Sequence, residues 1–159
     1  CEATLCLATG TRPGECAPSL SRYFGINKRK WSDTVRARAS FLNLCPVSDQ
    51  TPEMRALVNA MANGAGRCDA ASLNVTLRVW NHWDADGGRV FINNQMPGYC
   101  SAYTGHQYSS LGDLSPRYVG MPERGGYWVD ARDHDAAIAR YNDRLAAEDS
   151  RRRNEEWYR

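Results

Sequence analysis

Residues 1–20 read CEATLCLATGTRPGECAPSL, and this stretch decides the fold because it combines three cysteines with two short helical patterns. Cys1 and Leu5 are spaced four residues apart, as are Cys16 and Leu20, so each pair lies on one face of a helix. A glycine ends each pattern. The stretch therefore predicts short helices whose buried faces carry cysteines, an arrangement suited to disulfides between helices.

The chain has six cysteines, Cys1, Cys6, Cys16, Cys45, Cys68 and Cys100. None of them forms a C-x-x-C pair and no histidine stands at a ligand interval from them, so disulfides are favoured over a metal site or free buried thiols. We expect all six to be oxidised and no metal or cofactor to be bound. Cys68–Cys100 is the favoured pair because both residues flank a predicted hairpin. Cys1–Cys45 and Cys6–Cys16 then remain, although spacing alone does not choose among the fifteen possible pairings.

Disulfides form in oxidising compartments, so the cysteine set predicts an exported protein of the bacterial periplasm or the outside of the cell. No signal peptide is visible, and a chain that opens on Cys1 is typical of a mature product from which the signal peptide has been removed.

The composition is that of a single globular domain of 159 residues, with 24% charged and 42% hydrophobic residues. A net charge of +2 is far below the excess that non-specific binding to nucleic acid requires. The longest uncharged stretch, residues 91–107, contains asparagine, glutamine, proline and glycine, which argues against a membrane span.

Two further helices are predicted before residue 65. The first has Ser32 or Asp33 as its N-cap and ends at Cys45-Pro46, with its apolar stripe at Val35, Ala39 and Leu42. The second has Thr51 as its cap, Pro52 at the first position, an apolar stripe of Met54, Leu57, Val58 and Met61, and its end at Asn63-Gly64.

From Cys68 onward the pattern changes to a turn of helix at residues 69–73 and then short strands within 75–79, 89–92 and 126–129. Residues 131–159 have strong helical propensity with a narrow apolar stripe, so we expect a charged C-terminal helix or tail. The predicted fold is α+β and predominantly α: a disulfide-linked bundle of short helices over residues 1–65, with a small antiparallel sheet and loops over 68–130. Residues 1–130 form the predicted domain.

Two motifs near residue 85 resemble functional sites. Asp84-Ala85-Asp86-Gly87-Gly88 resembles the start of a calcium loop, but the apolar strand that follows supplies no further oxygen ligands, which favours a hairpin turn. His82 lies between Trp80 and Trp83 without an evident nucleophile or acid partner, which favours a structural histidine over a general base.

Two groups of charged residues remain. Glu15 and Glu53 form a possible carboxylate pair, yet both stand at helix starts, where the helix dipole favours acidic side chains. Basic residues concentrate at Lys28-Arg29-Lys30-Trp31 with Arg22, Arg36 and Arg38. Such a group could stack on a base or a sugar, but a solvated helix face is favoured.

Two blocks of sequence resemble the TrbM/KikA conjugal transfer proteins. They are Cys1-Glu2-Ala3-Thr4-Leu5-Cys6-Leu7 through Glu15-Cys16-Ala17-Pro18-Ser19-Leu20 with Tyr23-Phe24, and Gly64-Ala65-Gly66-Arg67-Cys68-Asp69-Ala70 with Leu73-Asn74. The resemblance covers about residues 1–130. It implies a plasmid-encoded periplasmic protein of conjugative type IV secretion, with a role in mating-pair formation and no agreed catalytic residues.

We therefore expect an accessory protein without enzymatic activity that binds other periplasmic or envelope components of a conjugative secretion system. The alternative is a small secreted hydrolase or toxin that acts on cell-wall glycan or nucleic acid. A hydrolase requires a cleft with several titratable groups of perturbed pKa, whereas a binding protein requires an exposed apolar or aromatic patch.

Overall fold

The computed structural model describes residues 1–81 and 88–158. His82, Trp83 and the predicted turn at 84–87 lie outside the described residues, so the interpretations given for them stay predictions.

The described part of the chain contains seven α-helices and two antiparallel hairpins, which confirms an α+β fold that is predominantly α. The helices are α1 Glu2–Ala8, α2 Cys16–Gly25, α3 Trp31–Leu42, α4 Pro52–Gly64, α5 Ala70–Thr76, α6 Gly98–Thr104 and α7 His134–Trp157. The strands are β1 Arg78–Asn81, β2 Arg89–Ile92, β3 Pro116–Val119 and β4 Tyr127–Asp130. No helix in these residues combines the length and hydropathy that a membrane crossing needs.

Helix α4 forms where the sequence predicts it, with the predicted cap and the predicted buried face. The backbone N–H of Met54 donates to Thr51 Oγ1 at 3.1 Å, which caps the helix. Leu57, Val58 and Met61 are each 2% exposed or less, so the predicted stripe is the buried face. Each of these side chains contributes about 1.5 to 3 kcal/mol by leaving water.

Helix α3 begins at Trp31, so the prediction that Ser32 or Asp33 caps it is wrong. The residue before the helix, Lys30, makes no side-chain capping bond. The hydroxyl of Thr34, in the first turn, instead accepts the backbone N–H of Lys28 at 2.8 Å and so holds the preceding loop.

The buried stripe of α3 also differs from the prediction. Thr34, Arg38 and Leu42 are buried, whereas Val35 and Ala39 are only partly buried. The stripe is shifted because Arg38 packs its guanidinium against aromatic rings, an interaction that a hydrophobic pattern cannot indicate.

Helix α5 extends through Val75, which the alternating pattern had placed in a strand. Asp69 caps the helix by accepting the N–H of Ser72 at 3.1 Å, and Leu73 is fully buried. Strand β1 consequently starts only at Arg78.

The strands form two separate two-stranded sheets, with Trp80 opposite Val90 in one and Tyr118 opposite Trp128 in the other. The sequence pattern places β2 and β4 correctly within one residue but misses β3 and α6. Strand β3 opens on Pro116 and α6 opens on Gly98, and both residue types weaken a prediction of regular structure.

The main core lies among helices α1 to α6. Its most deeply buried large side chains are Leu7, Tyr23, Leu42, Val58, Met61 and Leu73. A second cluster joins Val119 of β3 to Ala137 and Tyr141 of α7, so the N-terminal half of the last helix packs on the second hairpin.

The six cysteines form three disulfides, Cys1–Cys45, Cys6–Cys16 and Cys68–Cys100. These are the pairs named from the sequence. The first joins the residue that precedes α1 to the segment after α3, the second joins α1 to α2, and the third joins the turn after α4 to α6.

Three tyrosine hydroxyls each donate to a backbone carbonyl of a distant element. Tyr23 donates to Met61 at 2.8 Å, and Tyr103 donates to Leu7 at 2.6 Å. Tyr118 donates to the carbonyl of Ile92 at 2.7 Å, which ties the two hairpins together. Burial raises the pKa of all three phenols, that of Tyr118 to about 12.

Candidate functional site

Aromatic and arginine side chains form a cluster where α3, the end of α4 and α6 meet. The guanidinium carbon of Arg67 lies 4.4 Å from the ring centroid of Trp31 and 4.1 Å from that of Tyr99. Both distances are within the range of cation–π attraction, so the guanidinium is held by two rings.

Asn63 fixes the orientation of both Trp31 and Arg67. Its side-chain oxygen accepts the indole N–H of Trp31 at 3.3 Å and Nη1 of Arg67 at 3.2 Å, and its backbone carbonyl accepts the same Nη1 at 3.2 Å. Arg38 adds a further cation–π contact to the Trp31 ring at 5.4 Å. Trp31 stays 39% exposed, so the site presents a large ring to solvent in a fixed position.

The turn after α4 places Arg67 in this cluster. Gly66 has φ +84°, and a Cβ there would lie 2.8 Å from the ring of Phe24. A Cβ on Gly64 would lie 2.9 Å from a side-chain carbon of α6. Cys68 then fastens the turn to α6 through its disulfide. Glycine at both positions and the adjacent cysteine together set the position of Arg67.

The basic loop before α3 lies beside the cluster. Lys28, Arg29 and Lys30 are exposed. Two side chains of α3 hold the loop by hydrogen bonds: Thr34 Oγ1 accepts the backbone N–H of Lys28, and Arg38 Nε donates to the carbonyl of Ile26 at 3.2 Å. We call Lys28, Arg29, Lys30, Trp31, Arg67 and Tyr99 together the Trp31 surface.

The basic residues grouped in the sequence have different roles in the structure. Arg38 is only 8% exposed, so its assignment to a solvated face is wrong. Arg36 forms an ion pair with Asp33, and Arg22 lies 5.7 Å from the ring centroid of Phe41. The exposed positive charge of this region therefore comes mainly from the loop.

A groove of about 680 Å³ lies between the first hairpin, the Pro122–Arg124 turn and α7. Three of the charged side chains that line it, those of Arg124, Arg144 and Glu148, are engaged in hydrogen bonds and ion pairs. Arg124 bonds Asp149 at 2.7 Å, and Arg144 bonds both Glu148 and the carbonyl of Arg124 at 2.8 Å. The hydrogen bond from Arg124 lowers the pKa of the Asp149 carboxyl. These contacts fasten α7 to the turn, which is a structural role.

The described residues do not bring the carboxylate candidates into a cleft. Glu15 precedes α2 and Glu53 lies in the first turn of α4, and both are exposed at helix starts as the dipole argument expects. His106 accepts the backbone N–H of Tyr108 at 3.1 Å and so serves a turn. Within residues 1–81 and 88–158, no group of His, Cys, Asp and Glu is placed to hold a metal ion.

Sequence reasoning singled out Trp31 and the basic loop but favoured a solvated helix face for them, and it assigned no role to Arg67 or Tyr99. The available signal was the run Gly64-Ala65-Gly66-Arg67-Cys68, in which two glycines and a cysteine leave one long side chain on a constrained turn. Tyr99 carries no comparable signal, since contacts between distant elements, including the Cys68–Cys100 disulfide and the Tyr103 bond to Leu7, bring α6 to this place.

The TrbM family model matches residues 1–142 of the chain. This chain belongs to the TrbM family. It is therefore a protein associated with conjugative transfer. Comparisons with curated proteins and with solved structures give no match.

The TrbM match includes the whole Trp31 surface and ends before Arg144, so the α7 side chains of these ion pairs, Arg144, Glu148 and Asp149, lie outside it while Arg124 lies within it. Within the matched region, the Trp31 surface combines exposure with fixed geometry. Trp, Tyr and Arg are the residue types that contribute most binding energy at protein interfaces, which makes this surface the candidate site of a binding protein.

Proposed function

We propose that this TrbM-family protein is a periplasmic accessory component of a conjugative type IV secretion apparatus, acts in mating-pair formation, and catalyses no reaction. Its role is to bind another envelope component of that apparatus. The observation that carries the proposal is the Trp31 surface on a chain of a conjugative transfer family.

Two features support a binding role over catalysis. The raised pKa values belong to Arg124 and to buried or partly buried tyrosines whose hydroxyls tie elements of the fold together. The raised pKa of Arg124 and the lowered pKa of Asp149 both arise from the hydrogen bond between these two side chains. By contrast, the Trp31 ring is held by Asn63 and two arginines before any partner arrives. A preordered anchor costs less conformational entropy on binding.

The three disulfides support a periplasmic location, because such bonds persist in oxidising compartments. A fold of short helices and two small hairpins has modest stability of its own and depends on these links.

The test is to delete the gene from its conjugative plasmid and measure transfer frequency. We expect transfer to fall, an exported copy to restore it, and a copy confined to the reducing cytoplasm not to restore it. Normal transfer after deletion would overturn the role in conjugation, and full complementation by the cytoplasmic copy would overturn the periplasmic location.

The binding surface is tested by Trp31→Ala in the exported copy, with Trp157→Ala as the matched control. Both changes remove one indole, but Trp157 is 89% exposed at the end of α7. We expect only Trp31→Ala to lower transfer, with circular dichroism showing that both variants fold. Equal transfer by the two variants would contradict a role for the Trp31 surface.

The absence of catalysis is tested on the purified protein with peptidoglycan and nucleic acid as substrates. We expect no turnover, and we expect His82→Ala to leave transfer intact. Turnover that is lost on changing His82 or an acidic pair would establish the hydrolase alternative.

A further inference from the structure

We propose that Arg67 is the centre of a carboxylate-binding site, and that the partner of the Trp31 surface presents an acidic peptide segment to it. This inference rests on the proposed binding function and adds the chemistry of the partner.

The guanidinium of Arg67 is held by two hydrogen bonds and two aromatic rings. Nη1 donates both hydrogen bonds to Asn63, and the guanidinium carbon lies 4.4 Å from the ring centroid of Trp31 and 4.1 Å from that of Tyr99. These contacts leave Nε and Nη2 without a recorded acceptor among residues 1–81 and 88–158. A guanidinium uses two such parallel N–H groups to bind a carboxylate at both oxygens.

Other arginines of the described chain differ from Arg67 because they pair with acidic side chains of the same chain. Five of them form ion pairs with acidic side chains: Arg36, Arg55, Arg124, Arg132 and Arg144. None of the ion pairs recorded within the described ranges includes Arg67, although its guanidinium is held by two rings and two hydrogen bonds. An arginine oriented so firmly without an acid of its own chain is prepared for an acid from another molecule.

The neighbouring charges favour an acidic partner. Lys28, Arg29 and Lys30 extend the positive potential of Arg67 into solvent beside the Trp31 ring. Such a cluster accelerates association with an acidic segment, while the fixed arginine and the aromatic rings supply the directional contacts.

Nucleic acid and an anionic membrane fit these observations less well. A polyanion such as DNA is held by many phosphate contacts, whereas the net charge of the chain is +2 and the exposed positive charge near Trp31 comes mainly from one loop. Insertion into a bilayer would require the indole to leave Asn63 and the two arginines that contact it.

The probe is a fluorescent peptide of alternating glutamate and glycine, titrated against the full chain and followed by fluorescence anisotropy. Arg67→Lys keeps the charge but removes the planar fork, and Arg29→Gln removes one charge from the exposed loop. We expect Arg67→Lys to weaken binding about tenfold or more and Arg29→Gln by only about two- to threefold. NMR shifts of the Trp31 indole N–H and the Arg67 Nε–H should accompany binding to the unchanged protein.

The proposal is overturned if Arg67→Lys weakens binding no more than Arg29→Gln does, because binding would then follow charge alone. Weaker binding of the peptide than of phosphatidylglycerol vesicles or oligothymidine, with Trp31 required for the tighter probe, would also overturn it. Circular dichroism and the melting temperature of each variant exclude loss of fold as the cause.

Failure of this inference can be distinguished from failure of the proposed function. If deletion of the gene lowers transfer but Arg67→Lys in the exported copy transfers normally, the carboxylate site is wrong and the conjugative role stands. If deletion has no effect while Arg67→Lys abolishes peptide binding, the conjugative role is wrong and the carboxylate site stands.

Discussion

The side chain of Asn74 pairs with the backbone of Trp128 through two hydrogen bonds across 54 residues of sequence. Its Nδ2 donates to the Trp128 carbonyl at 2.8 Å, and its Oδ1 accepts the Trp128 N–H at 2.7 Å. An asparagine amide can do this because it carries a donor and an acceptor side by side. Helix α5 therefore closes the outer edge of β4, which would otherwise expose unpaired backbone groups.

Replacing Asn74 should test this link. Asn74→Asp removes the donor and turns a carboxylate towards the Trp128 carbonyl, so we expect about 2 to 3 kcal/mol lower free energy of unfolding in urea. Asn94→Ala, at an exposed position, is the control and should change stability by less than about 0.5 kcal/mol. Equal midpoints for the two variants would show that the amide pairing does not stabilise the hairpin.

The Asn74 pairing also shows which features the sequence could reveal. Local signals were sufficient for α2 and α4, where the predicted apolar spacing marks the buried face, and α4 also has its predicted cap and proline. Helix α1 forms where predicted, but the pair expected on its buried face, Cys1 and Leu5, is exposed, and the buried face instead carries Cys6 and Leu7 with their neighbours. Local signals failed at Val75, where the alternating pattern favours a strand but the Asp69 cap, the buried Leu73 and the distant partner Trp128 stabilise a helix. The last of these contacts is set by the tertiary fold.

The Trp31 surface was only partly predictable for a related reason. The loop and Trp31 are adjacent in sequence, so their association is local. Arg67 and Tyr99 reach Trp31 because tertiary contacts, among them the close approach of Gly64 to α6 and the Cys68–Cys100 disulfide, bring the turn and α6 together. A pairing of residues 36 and 68 positions from Trp31 leaves no periodic signal.

Gly120 should be the most sensitive glycine in the second hairpin. It has φ +80°, and a Cβ there would overlap the ring of Tyr141, whose hydroxyl accepts the N–H of Met121 at 3.1 Å. Gly120→Ala should therefore lower the melting temperature and increase proteolysis of α7, at a cost of at least about 1 to 2 kcal/mol from the backbone alone. Gly14→Ala, where a Cβ meets nothing within 4 Å, should leave both measurements unchanged. Resistance of α7 to protease in Gly120→Ala would contradict the packing of Tyr141 against this glycine.

Three tyrosines, the buried Tyr23 and Tyr103 and the partly buried Tyr118, predict unfolding at alkaline pH. Because burial favours the neutral phenol, the folded pKa is raised, so the stabilisation is complete below the unfolded value near 10.0 and is lost as pH rises towards about 12 for Tyr118. Phenolate absorbance of Tyr23, Tyr103 and Tyr118 should then rise together with loss of circular dichroism. Tyr118→Phe should move this transition to higher pH, and Tyr108→Phe at an exposed position should not. Complete ionisation of the tyrosines in a protein that keeps its helical circular dichroism would contradict the link between their ionisation and unfolding.

The three disulfides should contribute unequally to stability. They enclose separations of 44, 10 and 32 residues, and the chain-entropy model gives about 4 kcal/mol for Cys68–Cys100 against about 3 kcal/mol for Cys6–Cys16. Paired serine variants, compared by urea unfolding, should show the larger loss for the Cys68–Cys100 pair. The denatured but unreduced protein should have no free thiol, and more than one would contradict the three-disulfide structure. A larger loss for the Cys6–Cys16 pair would show that native-state strain or packing outweighs loop closure.

Truncation of α7 separates the part of the helix that stabilises the fold from the part that could bind a partner. Ala137, Tyr141 and the Arg124–Asp149 bond fasten the helix up to residue 149, whereas Trp157 and Tyr158 are 89% and 92% exposed. A chain ending at Ser150 keeps these contacts, so its urea midpoint and its conjugative transfer should match those of the full chain.

A chain ending at Leu145 provides the contrast, because it loses Glu148 and Asp149 and with them both ion pairs to Arg124. Its urea midpoint should fall at neutral pH, and the difference from the Ser150 truncation should narrow in acid. The direction of this pH dependence follows from the lowered pKa of Asp149. The contribution of Asp149 to the free energy of unfolding is present above the unfolded pKa near 3.8 and is lost as pH falls through the folded pKa. If the Ser150 truncation folds normally but fails to support transfer, the aromatic end of α7 is a partner anchor, and the binding function cannot be assigned to the Trp31 surface alone.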